Sequence, residues 1–216
     1  MNSGMPEKYF VIDFENTGGS LWYGHKITAY GICIVENTGK KYEITKTVMN
    51  YVNPNRQIPK FIEDLIGIKT EDVNNSKYLP IEEEFKNLEE LLTPDMVFTA
   101  HCVGVDYGMY NYLHYTKYKS HFETITLDTC RLAKKIIGFE KGSIGDVARE
   151  LDITCGKHHQ PDFDAFVAAQ VLIKSIDLAE SNQELKKSFL SYLVKYPRPQ
   201  TLKKLLKFNL MNEAAG

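Results

Sequence analysis

Three extended apolar runs follow one another at the start of the chain, and their order restricts its architecture more than any other feature. They cover residues 8–14, 27–35 (ITAYGICIV) and 42–51 (YEITKTVMNY). The link between the second and third, ENTGKK, holds Asn37, Thr38 and Gly39, a hairpin-turn composition. An antiparallel meander of three strands is therefore expected. The pattern then changes to short strands separated by segments of helical period. Helices are expected at 59–66 and 81–92, a strand at 95–101 (DMVFTAH), a helix near 105–117 and a strand at 123–130 (ETITLDTC). Further helices are expected near 129–137, 143–151, 164–178 and 183–195. A meander followed by strand–helix alternation predicts an α/β fold: a five-stranded mixed sheet flanked by helices.

Within that frame the chain of 216 residues is one domain, or one domain with an appendage. Its 43% apolar and 25% charged residues are ordinary globular usage, enough for a sizeable core. A formal net charge of -2 means that any affinity for nucleic acid comes from local patches or bound cations. Cys33, Cys102, Cys130 and Cys155 form no CxxC pair, so neither a zinc site nor a disulfide framework is indicated, and reduced thiols in a cytoplasmic protein are the simplest reading. No signal peptide opens the chain, and no apolar run approaches the ~20 residues of a membrane span. From Lys186 to Lys207 every formal charge is basic: Lys186, Lys187, Lys195, Arg198, Lys203, Lys204 and Lys207. Residues 8–180 read as one domain and 181–216 as a helical, basic extension, its lysines either a solvated face or a contact with phosphates or a partner.

Acids recur where elements end. The stretch FVIDFENTGG places Asp13 and Glu15 two apart at the end of a buried strand, hence on one face. Two carboxylates about 4 Å apart repel by roughly 4 kcal/mol at an effective dielectric of about 20. Asp106 follows the fourth strand, and Asp164 opens a helix with His159 five positions upstream. If the four carboxylates converge, their repulsion becomes a reason to bind two hard divalent cations, Mg2+ or Mn2+. A histidine near neutral pKa then offers a base for an attacking water. Each residue also has a plainer role. Asp13 and Glu15 can cap the NTGG turn, Asp106 and Asp164 can favour helix dipoles, and Asp162 competes as an N-cap.

The order of these segments resembles the three motifs of the DEDDh 3′→5′ exonucleases, the family of bacterial polymerase III epsilon proofreading subunits, RNase T and oligoribonuclease. VIDFENTG is similar to its Asp-x-Glu-x-Thr-Gly motif at Asp13, Glu15, Thr17 and Gly18. TAHCVGVD is similar to its Ala-His-Asn-x-x-Phe-Asp motif at His101 and Asp106, with Cys102 where Asn is usual and Val105 where Phe is usual. HHQPDFDA is similar to its His-x4-Asp-Ala motif at His159, Asp164 and Ala165. The likeness covers roughly residues 8–178.

The resemblance implies an RNase H-like fold in which the fourth and fifth strands run parallel to the first. It implies stepwise removal of nucleoside 5′-monophosphates from the 3′ end of single-stranded DNA. Asp13 would bridge two metals, Glu15 and Asp164 would complete one site, Asp106 would support the second, and His159 would take the proton of the attacking water. Thr17 and the backbone at Gly18 would lie beside the terminal 3′-hydroxyl, and Phe14, Trp22 and His101 are candidates for base contacts. An exoribonuclease of the same family and a non-catalytic nucleic-acid-binding adaptor are the alternatives. The partner is a nucleic acid with a free 3′ end. A proofreading role would add a protein partner such as a polymerase or processing complex, and no membrane contact is expected.

Overall fold

The structure is a computed structural model that describes residues 4–153 and 160–197. In chain order β1 (Lys8–Asn16) leads through a 3-10 turn at Leu21–Tyr23 into the hairpin of β2 (Ile27–Asn37) and β3 (Tyr42–Tyr51). Helices α1 (Lys60–Ile66), α2 (Thr70–Val73) and α3 (Ile81–Leu91) follow, then β4 (Val97–Ala100), α4 (Gly104–Tyr118) and β5 (Thr124–Asp128). Next come α5 (Thr129–Leu132), which runs into a π-helical turn at Ala133–Ile137, then α6 (Ile144–Glu150), α7 (Pro161–Ser181), α8 (Gln183–Ser191) and β6 (Val194–Tyr196).

The strands form one mixed sheet in the order β3-β2-β1-β4-β5-β6. β1 pairs antiparallel with β2, and β2 with β3, while β4 runs parallel to β1 and β5 parallel to β4. This is the mixed sheet expected from the meander and the later alternation, in the RNase H-like arrangement that the family resemblance implies. Among the described residues the strand count differs from expectation. β6 is a sixth strand, antiparallel to β5, in place of the last turn of a helix running to 195. The reason is local and tertiary. Phe189, Tyr192, Leu193 and Tyr196 have helical spacing, but Tyr196 precedes Pro197, which disfavours the α conformation, and the free edge of β5 offers ladder partners.

Alternation along β1 builds two cores. Tyr9 and Val11 face α7, where they join Cys33, Val35, Val167 and Leu172. Phe10, Ile12 and Phe14 face α3 and α4, where they meet Phe85, Leu88, Tyr107 and Tyr110. Asp13 and Glu15 continue the α7 side beyond its apolar floor. Among the described residues no helix is long and apolar enough to cross a membrane.

Candidate active site

β1 lies between β2 and β4, but β4 pairs with it only as far as Val11, so its C-terminal end is bordered by β2 on one side and open on the other. Asp13 pairs with Gly31 and Glu15 with Ala29, and a register shift between Glu15 and Asn16 precedes the last pair, Asn16 with Ile27. Gly31 decides what lies above them. A Cβ there would sit 2.0 Å from the carbonyl oxygen of Pro161 and 2.4 Å from the nitrogen of Asp162. The bare Cα lets the first turn of α7 rest on the sheet beside Asp13. Pro161 suits that first turn because its missing N–H would have no helical partner there. One turn on, Asp164 is 4% exposed. Asp13, Glu15 and Asp164 each bring an oxygen into a set whose members all lie within 4.8 Å of one another.

Asp106 comes from the first turn of α4 and is buried. Its Oδ1 accepts the backbone N–H of Phe14 at 3.0 Å, which anchors it against β1. The electrostatics show how poorly this set tolerates its own charge. Burial, then Asp106, Glu15 and Asp164, push Asp13 well above the usual carboxylate range. Burial, then Asp164 and Asp106, push Glu15 up to about 8. Burial pushes Asp106 up to about 7, against the pull of the Phe14 N–H. An all-oxygen, all-carboxylate set of this kind fits a hard divalent cation, whose charge offsets both desolvation and repulsion.

A groove of about 570 Å³ opens beside Glu15, lined among others by Gly18, Gly19, Trp22, Ile62 and Val105. Gly18 has φ +119°, and a Cβ there would press on Ile62 at 3.1 Å, so the turn and α1 approach closely only with glycine. Asn16 shapes that turn: its Oδ1 accepts the N–H groups of Gly18 at 2.7 Å and Gly19 at 2.9 Å. Thr17 is fully buried, and its Oγ1 accepts the N–H of Lys26 at 3.1 Å.

The remaining expected site residues fall as follows. Trp22 lines the groove with its indole edge-on to Tyr112 at 4.9 Å and tilted against Tyr115 at 5.5 Å, which docks the turn onto α4. Phe14 points away from Asp13 and Glu15 and is buried against Tyr30, so its part in the site is its N–H. His101 ends β4 with both ring nitrogens engaged. Nε2 lies 2.6 Å from the Gly142 carbonyl, which can only accept, so Nε2 carries a proton, and Nδ1 lies 3.0 Å from the Thr129 hydroxyl oxygen. His159 and the neighbouring His158 lie outside the described residues, as does the basic stretch from Arg198 onward.

Gly31, Asn16 and His25, which packs against Thr17 and Gly19, are structural supports that a motif reading passes over. Two of them carried a signal. An isolated glycine inside a strand marks a close backbone approach, and Asn before Thr-Gly-Gly marks an Asx turn.

The RNase H-like sheet gathers buried carboxylates beside an open groove. The chain belongs to the exonuclease family described by RNase T, whose model matches residues 10–172. It is 31% identical over 175 residues to the 3′-5′ exonuclease DinG of Bacillus subtilis, covering 79% of this chain and 18% of that protein. It is 27% identical over 180 residues to the PolC-type DNA polymerase III of Streptococcus sanguinis, covering 81% of this chain and 12% of that protein. The chain thus spans less than a fifth of the length of these relatives. Among solved structures it resembles the nuclease domain of 3′hExo, described as a DEDDh family member bound to rAMP, with a TM-score of 0.64, 17% identity and coverage of 81% and 94%. It also resembles E. coli exonuclease I in complex with a dT13 oligonucleotide, with a TM-score of 0.63, 12% identity and coverage of 84% and 46%. At these identities the structural likeness concerns the fold.

Proposed function

We propose that this chain is a metal-dependent 3′→5′ exonuclease that removes nucleoside 5′-monophosphates from single-stranded DNA. The observation that carries the reading is the convergence of Asp13, Glu15 and Asp164 within 4.8 Å, at the mouth of a groove wide enough for a nucleotide. Asp13, Glu15 and Asp164 would hold one divalent cation, and Asp13 with Asp106 a second, Mg2+ or Mn2+. Bound there, two such ions supply positive charge to the scissile phosphate and make water a better nucleophile near neutral pH.

The chain's own groups do the rest. Carboxylates on three separate elements would hold the cations beside the end of β1, and through them set where the phosphodiester lies. His159 accepts the proton of the attacking water, and the turn at Thr17–Gly18 receives the terminal 3′-hydroxyl. Residues 8–180 are assigned to the nuclease unit and 181–216 to an extension that begins with α8 and β6. DinG is named as a 3′-5′ exonuclease and PolC as a DNA polymerase, which favours DNA and a polymerase or processing complex as protein partner. The second reading is an exoribonuclease, favoured by the rAMP in the 3′hExo structure.

The test is a product ladder on matched 5′-labelled DNA and RNA single strands with Mg2+, Mn2+ or chelator. Stepwise shortening of DNA with either metal supports the proposal. Preference for RNA moves it to the second reading, and cleavage in excess chelator, or none with either metal, overturns it.

A further inference from the structure

The turn that forms one wall of the groove is held by a clasp that takes no part in the carboxylate set. Thr17 and Lys26 bracket the turn: the Thr17 N–H donates to the Lys26 carbonyl at 2.9 Å, and the Lys26 N–H donates to Thr17 Oγ1 at 3.1 Å. His25 adds a third tie. Its Nδ1 lies 3.1 Å from the Thr17 carbonyl oxygen and 3.3 Å from Thr17 Oγ1. A carbonyl can only accept, so Nδ1 carries the proton and donates. The opposite edge of the same ring backs Gly19. A Cβ on Gly19 would meet Cδ2 of His25 at 2.9 Å and Nε2 at 3.0 Å. Gly18, one residue earlier, is held from the other side by Ile62. The two-glycine wall is therefore pressed between α1 and an imidazole whose orientation the Thr17 carbonyl fixes.

We propose that His25 is a positioning residue for the terminal nucleotide: its hydrogen bond to Thr17 and its contact with Gly19 set the groove wall against which that nucleotide binds. The proposal rests on the exonuclease reading above. A ring turned away would release the Thr17 carbonyl and leave Gly19 unsupported. The cost falls on substrate binding, because the ring touches the wall and none of the four carboxylates belongs to the clasp. Gly19 is a second handle on the same contact. An added Cβ would point at the ring, so its first effect is to push His25 off Thr17.

The test is a panel of four variants, His25→Ala, His25→Asn, Gly19→Ala and the double variant Gly19→Ala with His25→Asn, assayed for KM and kcat on a single-stranded oligonucleotide with Mn2+. Melting temperature, with and without Mn2+, is measured on each. Loss of one neutral hydrogen bond corresponds to a change of about three- to tenfold. His25→Ala and Gly19→Ala should raise KM by about that factor with kcat kept within about twofold. Asparagine places an amide N–H near the position of Nδ1 and lacks the ring atoms that meet Gly19. His25→Asn should therefore raise KM less than His25→Ala, because it keeps the Thr17 hydrogen bond and loses only the contact with Gly19, and it should rescue Gly19→Ala in the double variant, where the added methyl fills that space. The Mn2+-induced rise in melting temperature should be the same throughout. Unchanged KM in both single alanine variants, a fall in melting temperature with no change in KM, or no rescue in the double variant would each overturn the clasp. An inactive wild-type protein would remove the exonuclease reading and the clasp with it.

Discussion

Gly31→Ala should disable the site without touching any residue that reaches substrate. Alanine would place its Cβ 2.0 Å from the carbonyl oxygen of Pro161 and 2.1 Å from its carbonyl carbon, where ordinary contacts begin near 3.4 Å. Both partners are backbone, and β2 is held on both sides by β1 and β3, so the start of α7 must withdraw by more than 1 Å. Overpacking of this kind costs about 1–3 kcal/mol. For a chain of this size that is a fall of about 2–12 °C in melting temperature. The functional effect is larger, because Asp164 rides on the turn that moves. A displacement of about 1 Å at a reacting centre costs on the order of 10²-fold in rate. The assays are a thermal melt, the rise in melting temperature on adding Mn2+, and the rate on a labelled single strand. Gly108→Ala is the matched control. It lies inside α4 with nothing within 4 Å of an added Cβ, and it should raise stability by about 0.5–1 kcal/mol. If Gly31→Ala melts like wild type and keeps its Mn2+ response and rate, the backbone contact does not hold Asp164 in place.

Other expectations follow from the same site. Glu15 and Asp106 have folded values of about 8 and about 7 against ordinary values of 4.5 and 3.8, so between those limits the folded protein binds more protons than the unfolded chain. The cation-free protein should therefore lose stability as pH rises through this window, and the stabilisation by Mn2+ should grow from pH 6 to pH 8, since the cation competes with those protons. At a cation concentration 100 times Kd that stabilisation is about 2.7 kcal/mol, and a Mn2+ effect independent of pH would contradict the assignment. Asp13→Asn should abolish cleavage yet raise the melting temperature of the cation-free protein, because it removes one charge from a crowded set; a drop in that temperature would count against the repulsion argument. His159→Ala should lower kcat by about 10²–10⁴-fold with Mn2+ stabilisation retained, while His158→Ala changes little; the reverse would shift the motif by one residue. Truncation after Tyr196 removes Arg198, Lys203, Lys204 and Lys207. On long single strands it should flatten the salt dependence of binding by about two contacts' worth, at about 0.7 per contact on a log–log plot, and an unchanged slope excludes a phosphate role.

Most of the fold is legible in the sequence because its signals are local. The positions of β1, β2 and β3 follow from their extended apolar runs and from the Asn-Thr-Gly turn, and α3 from an acidic first turn ahead of a regular apolar stripe. The short α2 and β6 are not legible, because their stability comes from what they pack on rather than from their own pattern. The site divides in the same way. The convergence of Asp13, Glu15 and Asp164 agrees with the motif order. The direction of Phe14 is legible, since the strand parity that puts Asp13 and Glu15 on one face puts Phe14 on the other, whereas the engagement of His101 depends on a carbonyl forty-one residues away, which motif spacing does not encode. Gly31 shows the opposite case, a readable anomaly in a strand whose meaning appears only when Pro161 is seen above it.

The hydrogen bond from Phe14 to Asp106 divides the labour of one carboxylate between two employers. β4 ends at Ala100 and its last pairing with β1 is at Val11, so beyond that point β1 has lost its neighbour on that side. Oδ1 of Asp106 stands in for the missing strand, and the other oxygen is left for chemistry. Asparagine would fill the first post and vacate the second. A descendant carrying Asp106→Asn would keep the sheet, the groove and the turn at Gly18 while losing one charge of the set proposed to hold the cations. Such a chain would still hold the end of a strand without shortening it. The proposed nuclease is therefore separated from a binding module by a single atom, and drift in that direction would leave no trace in the architecture.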